Sequence, residues 1–203
     1  NPSTRELLLK TLQHWLELRN PNGSTDRCGF TLAIAASQYA CLNLGDKAYE
    51  LIKAYLSNDI LKGDTFFSSR LHYNTFHTES AGICPVMETP LAIVNAIMEL
   101  LLQSRNGVIH IFPAVPKHCR NLSFEHLRAQ GGFLVSAEIV HGKITQVTIK
   151  SLAGEPLDFC LWPESQHLVA SGEREFSLIQ KGENTFSVDL DKGETVTLKP
   201  INK

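Results

Sequence analysis

The chain has 203 residues, a formal net charge of -2 and about one charged residue in five, enough for one large domain or two small ones. It contains no acidic or basic block, which argues against nucleic acid or an anionic membrane surface as partner, since both call for clustered Lys and Arg. The five cysteines, Cys28, Cys41, Cys84, Cys119 and Cys160, make no CxxC pair and have no histidine at ligand spacing; neither a structural zinc site nor a full disulfide framework is expected, and the thiols read as mostly buried.

The first half has a helical period. Ser3 and Glu6 form a capping-box pattern ahead of Leu7, Leu8, Leu12, Trp15 and Leu16, with Trp15 expected in the core. An Asn-Pro-Asn-Gly turn follows at 20 to 23. A second helix is expected from Phe30 to Leu44, with Gly45 as its left-handed terminator. Asp46 reads as the cap of a third helix carrying Tyr49, Leu51, Ile52, Tyr55 and Leu56, antiparallel to the second. Ser57 to Val86 is read as one long irregular stretch, rich in aromatic and polar side chains, Phe66, Phe67, Arg70, His72, Tyr73, Asn74 and Phe76 among them; segments of that length without regular structure are often functional.

Thr89 and Pro90 supply a cap and a first helical residue for a fourth helix expected to reach Ser104. Its polar positions Asn95, Glu99 and Gln103 lie four apart and the rest of its circumference is apolar, the pattern of a helix enclosed by other helices. Its apolar run, Leu91 to Leu102, is broken by Asn95 and Glu99 and falls short of the roughly 20 residues a bilayer span needs.

After Arg105 the period becomes two. VIHIF, GFLVSAEIV, KITQVTIKSL, LDFCLW, EFSLI, TFSVDL and ETVTLK are separated by His141-Gly142, Ser171-Gly172, Lys181-Gly182 and Lys192-Gly193, the pattern of antiparallel strands joined by tight turns. Phe133, Val135, Ala137 and Ile139 share one face, so the sheet is half-buried. His110 reads as a strand residue in polar surroundings, and Trp162 as packing. The domain boundary is placed near residue 105, dividing the chain into 1–104 and 105–203.

No phosphate loop, GxSxG elbow or HExxH occurs, so the usual nucleotide-binding, serine-hydrolase and metalloprotease signatures are missing. What remains is Glu88, directly ahead of the helix start, and the loop residues His77 and Glu79. The positive end of a helix dipole favours negative charge, which makes Glu88 either a simple helix-end stabiliser or an acceptor in a site. His77 and Glu79 are either surface residues or an acid/base pair, and spacing alone does not choose.

The run ETPLAIVNAIMELLLQSRNGVIHIFPAVP and the following SFEHLRAQGGFLVSAEIVHGKITQVTIKSLAGEPLDF resemble the C-terminal part of glycoside hydrolase family 95, the inverting α-L-fucosidases and their relatives; LNLGDKAYELIKAYL is similar to the family's late helical hairpin. The resemblance implies an α+β multidomain protein: residues 1–104 as the terminal helices of an incomplete (α/α)6 catalytic barrel, and 105–203 as a small antiparallel β-sandwich. The upstream barrel and an N-terminal domain of the same protein would be its partners, an oligosaccharide or glycan its substrate, and a secreted or periplasmic setting its location. A chain that starts at Asn1 rather than methionine fits removal of an initiator residue or of a signal peptide, and does not itself fix the location. No cofactor or metal is implied. In the family's Gln-x-Asp-x-Asn pattern before this helix, Glu88 takes the aspartate position, whereas Val86 and Pro90 replace the glutamine and asparagine. The resemblance therefore implies Glu88 as a catalytic-site carboxylate with His77 and Glu79 as substrate contacts, an inverting glycosidase whose general acid lies upstream, and a fragment inactive by itself. The replacements at 86 and 90 keep open a non-catalytic carbohydrate-binding or structural remnant.

Overall fold

A computed structural model describes residues 2–18, 29–57, 77–79, 84–86, 88–162 and 168–201. The chain divides into two compact units, Asn1–Glu99 and Leu100–Lys203, each built on its own physical plan.

The first unit holds α1 (Pro2–Glu17), α2 (Gly29–Cys41), α3 (Gly45–Ser57), a short hairpin β1 (His77–Glu79) and β2 (Cys84–Val86), and most of α4 (Glu88–Leu101). Helix α1 begins at Pro2, so Ser3 lies inside the first turn rather than capping it. Only Leu12 of its apolar residues is fully buried; Leu7 and Leu8 are 65% and 51% exposed, and Trp15 is half-buried instead of core. Helix α2 buries Leu32, Ala33, Ala35, Ala36, Tyr39 and Ala40 and packs on α3. Alanine is the best helix former and its single methyl lets helix backbones approach closely.

The α2–α3 turn corrects one expectation. Asn43, not Gly45, takes the left-handed conformation, at φ 58. The Leu44 N–H donates to the Tyr39 carbonyl at 2.9 Å and the Asn43 N–H to the Ala40 carbonyl at 2.9 Å, the two bonds of a Schellman ending with Asn43 as its left-handed residue. The Ala48 N–H then donates to the Leu44 carbonyl at 3.0 Å; Leu44 is thus the cap, and Asp46 sits one residue inside the helix, where a carboxylate still meets the positive end of the dipole.

The second unit contains the remaining strands: β3 (Leu102–Arg105), β4 (Val108–Ile111), β5 (Leu122–Ala129), β6 (Phe133–Val140), β7 (Lys143–Ser151), β8 (Leu157–Leu161), β9 (Leu168–Gly172), β10 (Ile179–Gln180), β11 (Thr185–Val188) and β12 (Thr195–Pro200). They form two five-stranded sheets, ordered β10-β11-β8-β4-β3 and β5-β6-β7-β12-β9. Apolar side chains of both sheets belong to one buried cluster, as in a sandwich. Phe133, Val135, Ala137 and Ile139 do share the buried face.

Four details differ from the sequence expectation. Residues 102–105 leave the helix and pair with β4, so the helix ends at Leu101, ahead of the expected Ser104. The sheets are not wholly antiparallel, because β4 and β8 run parallel; the chain between them passes through β5, β6 and β7 of the other sheet, the kind of crossover a parallel pair requires. Ser171-Gly172 is the end of strand β9 rather than a turn. Of EFSLI only Ile179 enters a strand. The His141-Gly142 turn is as expected, with φ 53 and 79, the doubly left-handed form that fits the twist of a hairpin.

Candidate functional site

Glu88 is the first residue of α4, so the helix starts ahead of the expected Thr89 cap. Thr89 is fully buried and Glu88 is exposed. The burial of Thr89 has a clear cause: a Cβ built on Gly29 would lie 2.8 Å from Thr89 Cγ2 and 2.9 Å from the Tyr55 ring. The start of α2, the end of α3 and the start of α4 therefore meet at a point where only glycine fits. This contact fixes where α4 begins, and with it the position of Glu88 at the helix end.

Along α4, the Asn95 amide donates to Ser37 Oγ at 3.5 Å and the Cys41 thiol lies 3.7 Å from Glu99 Oε2. Two of the three stripe residues thus face α2. Ile93, Ala96 and Leu100 are buried, while Leu91 and Val94 are 63% and 56% exposed, so in this unit the helix is covered on one side.

The hairpin ahead of α4 overturns part of the irregular-loop expectation: His77 pairs with Val86 and Glu79 with Cys84. By register, His77 stands at the end that leads into Glu88, and Glu79 stands at the turn end. The side chains of His77, Glu79 and Val86, together with the turn at 20–23 and the aromatic stretch at 58–76, lie outside the described residues.

A second polar grouping was not anticipated. In the first sheet Gln103 pairs with His110, His110 with Cys160, and Cys160 with Thr185, a row on the face opposite the core residues Ile109, Ile111, Phe159 and Leu161. Gln103 and Cys160 are buried and His110 Nδ1 is buried without a hydrogen-bond partner among the described residues. His110 thus has polar neighbours, as expected, but its ring is partly removed from water. Burial, aided by the nearby Arg105 charge, lowers its pKa to about 4, leaving the ring neutral at pH 7. Burial raises the Cys160 thiol, partly offset by hydrogen bonds from Thr185 and Trp162. A neutral thiol beside a neutral imidazole is not an activated nucleophile, so this row is structural. Cys41, in contrast, is exposed and Cys119 half-buried; of the three cysteines whose burial is described, Cys160 fits the expectation.

The helical unit carries an apolar groove of about 590 Å³ between α1 and α2, lined by Leu8, Leu12, Trp15 and Leu42 among others. The β unit carries a cavity of about 560 Å³ at the turns β3–β4, β5–β6 and β7–β8. Glu88 lines neither. Among the described residues no three His, Cys, Asp or Glu side chains group to hold a metal, and no helix is long and apolar enough to cross a membrane.

The β unit is the part of the chain that resembles a known family. Residues 103–198 match the family model of the glycoside hydrolase family 95 C-terminal domain. The matched stretch starts in β3 and ends in β12, so it takes in strands of both sheets of the sandwich. The match is a likeness of this stretch to that domain. No curated protein matches the chain.

Proposed function

We propose that this chain is the C-terminal region of a family 95 glycoside hydrolase, in which α1 to α4 are the last helices of an (α/α)6 catalytic barrel. The observation that carries the reading is the match of residues 103–198 to the family 95 C-terminal domain, placed directly behind a helix whose outer side is apolar. Leu7, Leu8, Leu56, Leu91 and Val94 are each more than half exposed. Large apolar side chains exposed on several helices call for cover, and further barrel helices of the same protein supply it in this reading.

The reaction is hydrolysis of an α-L-fucoside or a related linkage with inversion. A protonated carboxyl group meets the leaving oxygen and a base-activated water attacks from the opposite face, the two groups standing roughly 6.5 to 9.5 Å apart. The general acid comes from an upstream helix, and the fragment alone is inactive. Glu88, exposed at the start of α4, borders the sugar site and supports the water-activating groups, with His77 and Glu79 as substrate contacts. The natural substrate is an oligosaccharide or glycan met in a secreted or periplasmic setting. The test is Glu88→Gln in the full-length parent on a panel of aryl and natural α-L-glycosides. Turnover should fall by on the order of tenfold or more; unchanged turnover on every cleaved substrate would remove Glu88 from the site.

One observation favours a second reading. Val86 and Pro90 stand where the family pattern has glutamine and asparagine, and neither side chain offers a hydrogen bond to a sugar. A parent that hydrolyses nothing but retains glycan would be a carbohydrate-binding or structural remnant.

A further inference from the structure

We infer that the cavity at the turn end of the β unit is a binding site for one neutral sugar residue. Three sequence segments with no part in the proposed hydrolysis converge there: SRNGVI, AQGGF and LAGEPLD. Its floor is apolar, formed by Ile109, Phe133 and Leu157, all at or below 3% exposure. Its rim carries Ser104, Gln130, Glu155 and Asp158. At about 560 Å³ it falls within the range of small-molecule sites.

Glycines shape the turns around it. Gly131 has φ 82, and a Cβ there would lie 2.7 Å from the Phe133 ring, so the turn lies flat against that ring. Gly107 has φ 75 and a Cβ there would meet nothing within 4 Å. The Gln130 N–H donates to Ser104 Oγ at 3.1 Å, which ties the β5–β6 turn to β3 while leaving the Gln130 side chain exposed.

Charge selects the ligand class. The lining holds two carboxylates and no lysine or arginine, which disfavours an anion. Lys181 neutralises Asp158 through contacts of 2.7 and 2.9 Å, so only the exposed Glu155 is left to attract a cation, and one exposed carboxylate holds a cation weakly. The rim is instead rich in acceptors over an apolar floor, the complement of an uncharged ring with several hydroxyl donors and one apolar face. The inference rests on the cavity and not on the hydrolase reading: an inactive parent leaves it standing, and an active one does not establish it.

The test is a titration of the ¹⁵N-labelled chain with L-fucose, D-galactose and D-xylose, with glycerol and tetramethylammonium chloride as controls, followed at the amides of Gly107, Gly131 and Gly132. At least one sugar should give saturable shifts confined to these turns. Half-saturation should move up about fivefold in Gln130→Ala, the loss expected for one hydrogen bond. Binding should be lost in Ala153→Trp, which places a bulky ring on an exposed lining position with the remaining spectrum unchanged. Linear or scattered shifts with every sugar, an equal response to glycerol, a response to tetramethylammonium alone, or variants that bind as the parent chain does would each overturn the assignment.

Discussion

The two units bury different things. The β unit encloses Phe112, Phe159, Leu157, Leu161 and Leu198 at 1% exposure or less, supported by edge and stacked ring contacts of Phe112 with Phe124 at 5.2 Å and Phe159 with Phe186 at 5.6 Å. The helical unit buries alanines, Ala33, Ala35, Ala36, Ala40, Ala48 and Ala96 all at 0%, beside larger side chains such as Leu32, Ile52, Tyr55 and Ile93, and leaves Leu7, Leu56 and Leu91 largely outside. A Phe or Leu removed from water contributes about 1.5 to 3 kcal/mol, and a methyl far less. The sandwich is therefore a finished core, while the helices are well fitted to each other yet keep much of their apolar surface uncovered.

The largest effect that tests this contrast is Phe159→Ala. With its ring fully buried against Phe186, the change should cost about 3 to 5 kcal/mol in denaturant unfolding of the β unit; a loss under about 1 kcal/mol would mean that the core is loosely packed. Next comes a matched pair in the helices. Leu32→Ala, at 0% exposure, should cost about 2 to 5 kcal/mol, whereas Leu91→Ala, at 63%, should stay within about 0.5 kcal/mol in this chain. The same Leu91 change in the full-length parent should cost clearly more, because there the proposed barrel covers it. Equal effects in the two contexts would break the comparison.

The smallest effect concerns the outer face of the first sheet. His110 has its pKa lowered from 6.5 to about 4, so the folded state resists a proton that the unfolded chain accepts. Its contribution is present above about pH 6.5 and is lost as pH falls through about 4. His110→Gln should flatten the acid limb of the stability profile in that window, by no more than about 2 kcal/mol once solvent screening of the part-exposed ring is allowed for. An unchanged limb would show that the ring is solvated.

The distance between reading and structure is clearest at individual residues. Alternation in GFLVSAEIV marks its buried face without any knowledge of the partner strands, because a pleat sends successive side chains to opposite sides. The fourth helix was legible as a helix, yet its end was not: Leu102 to Arg105 contains no Gly or Pro to stop it and becomes a strand where β4 offers a partner. Strand β5 was missed for the opposite reason. Its pattern is broken by a bulge between Phe124 and Leu127, where His126 takes φ 55, and a bulge destroys the period that reading depends on. Asn43 took the role expected of Gly45 since asparagine also tolerates the left-handed region.

The candidate site was legible as one residue and a family pattern. Glu88 stands out through its place before the helix, a local feature. Neither the Gly29–Thr89–Tyr55 contact that sets the helix start nor the meeting of three glycine turns around one cavity leaves a local trace.

By itself, then, the sequence determined the change from helical to strand period, the buried face of the longest hairpin and the resemblance to family 95, because all three are written in neighbouring residues. Only the tertiary structure decided that β4 and β8 run side by side, that His110 is desolvated between Gln103 and Cys160, and that the turn end of the sandwich is hollow. Each of those depends on segments about 50 residues apart meeting in space, and such meetings are set by packing of the whole core rather than by any local preference.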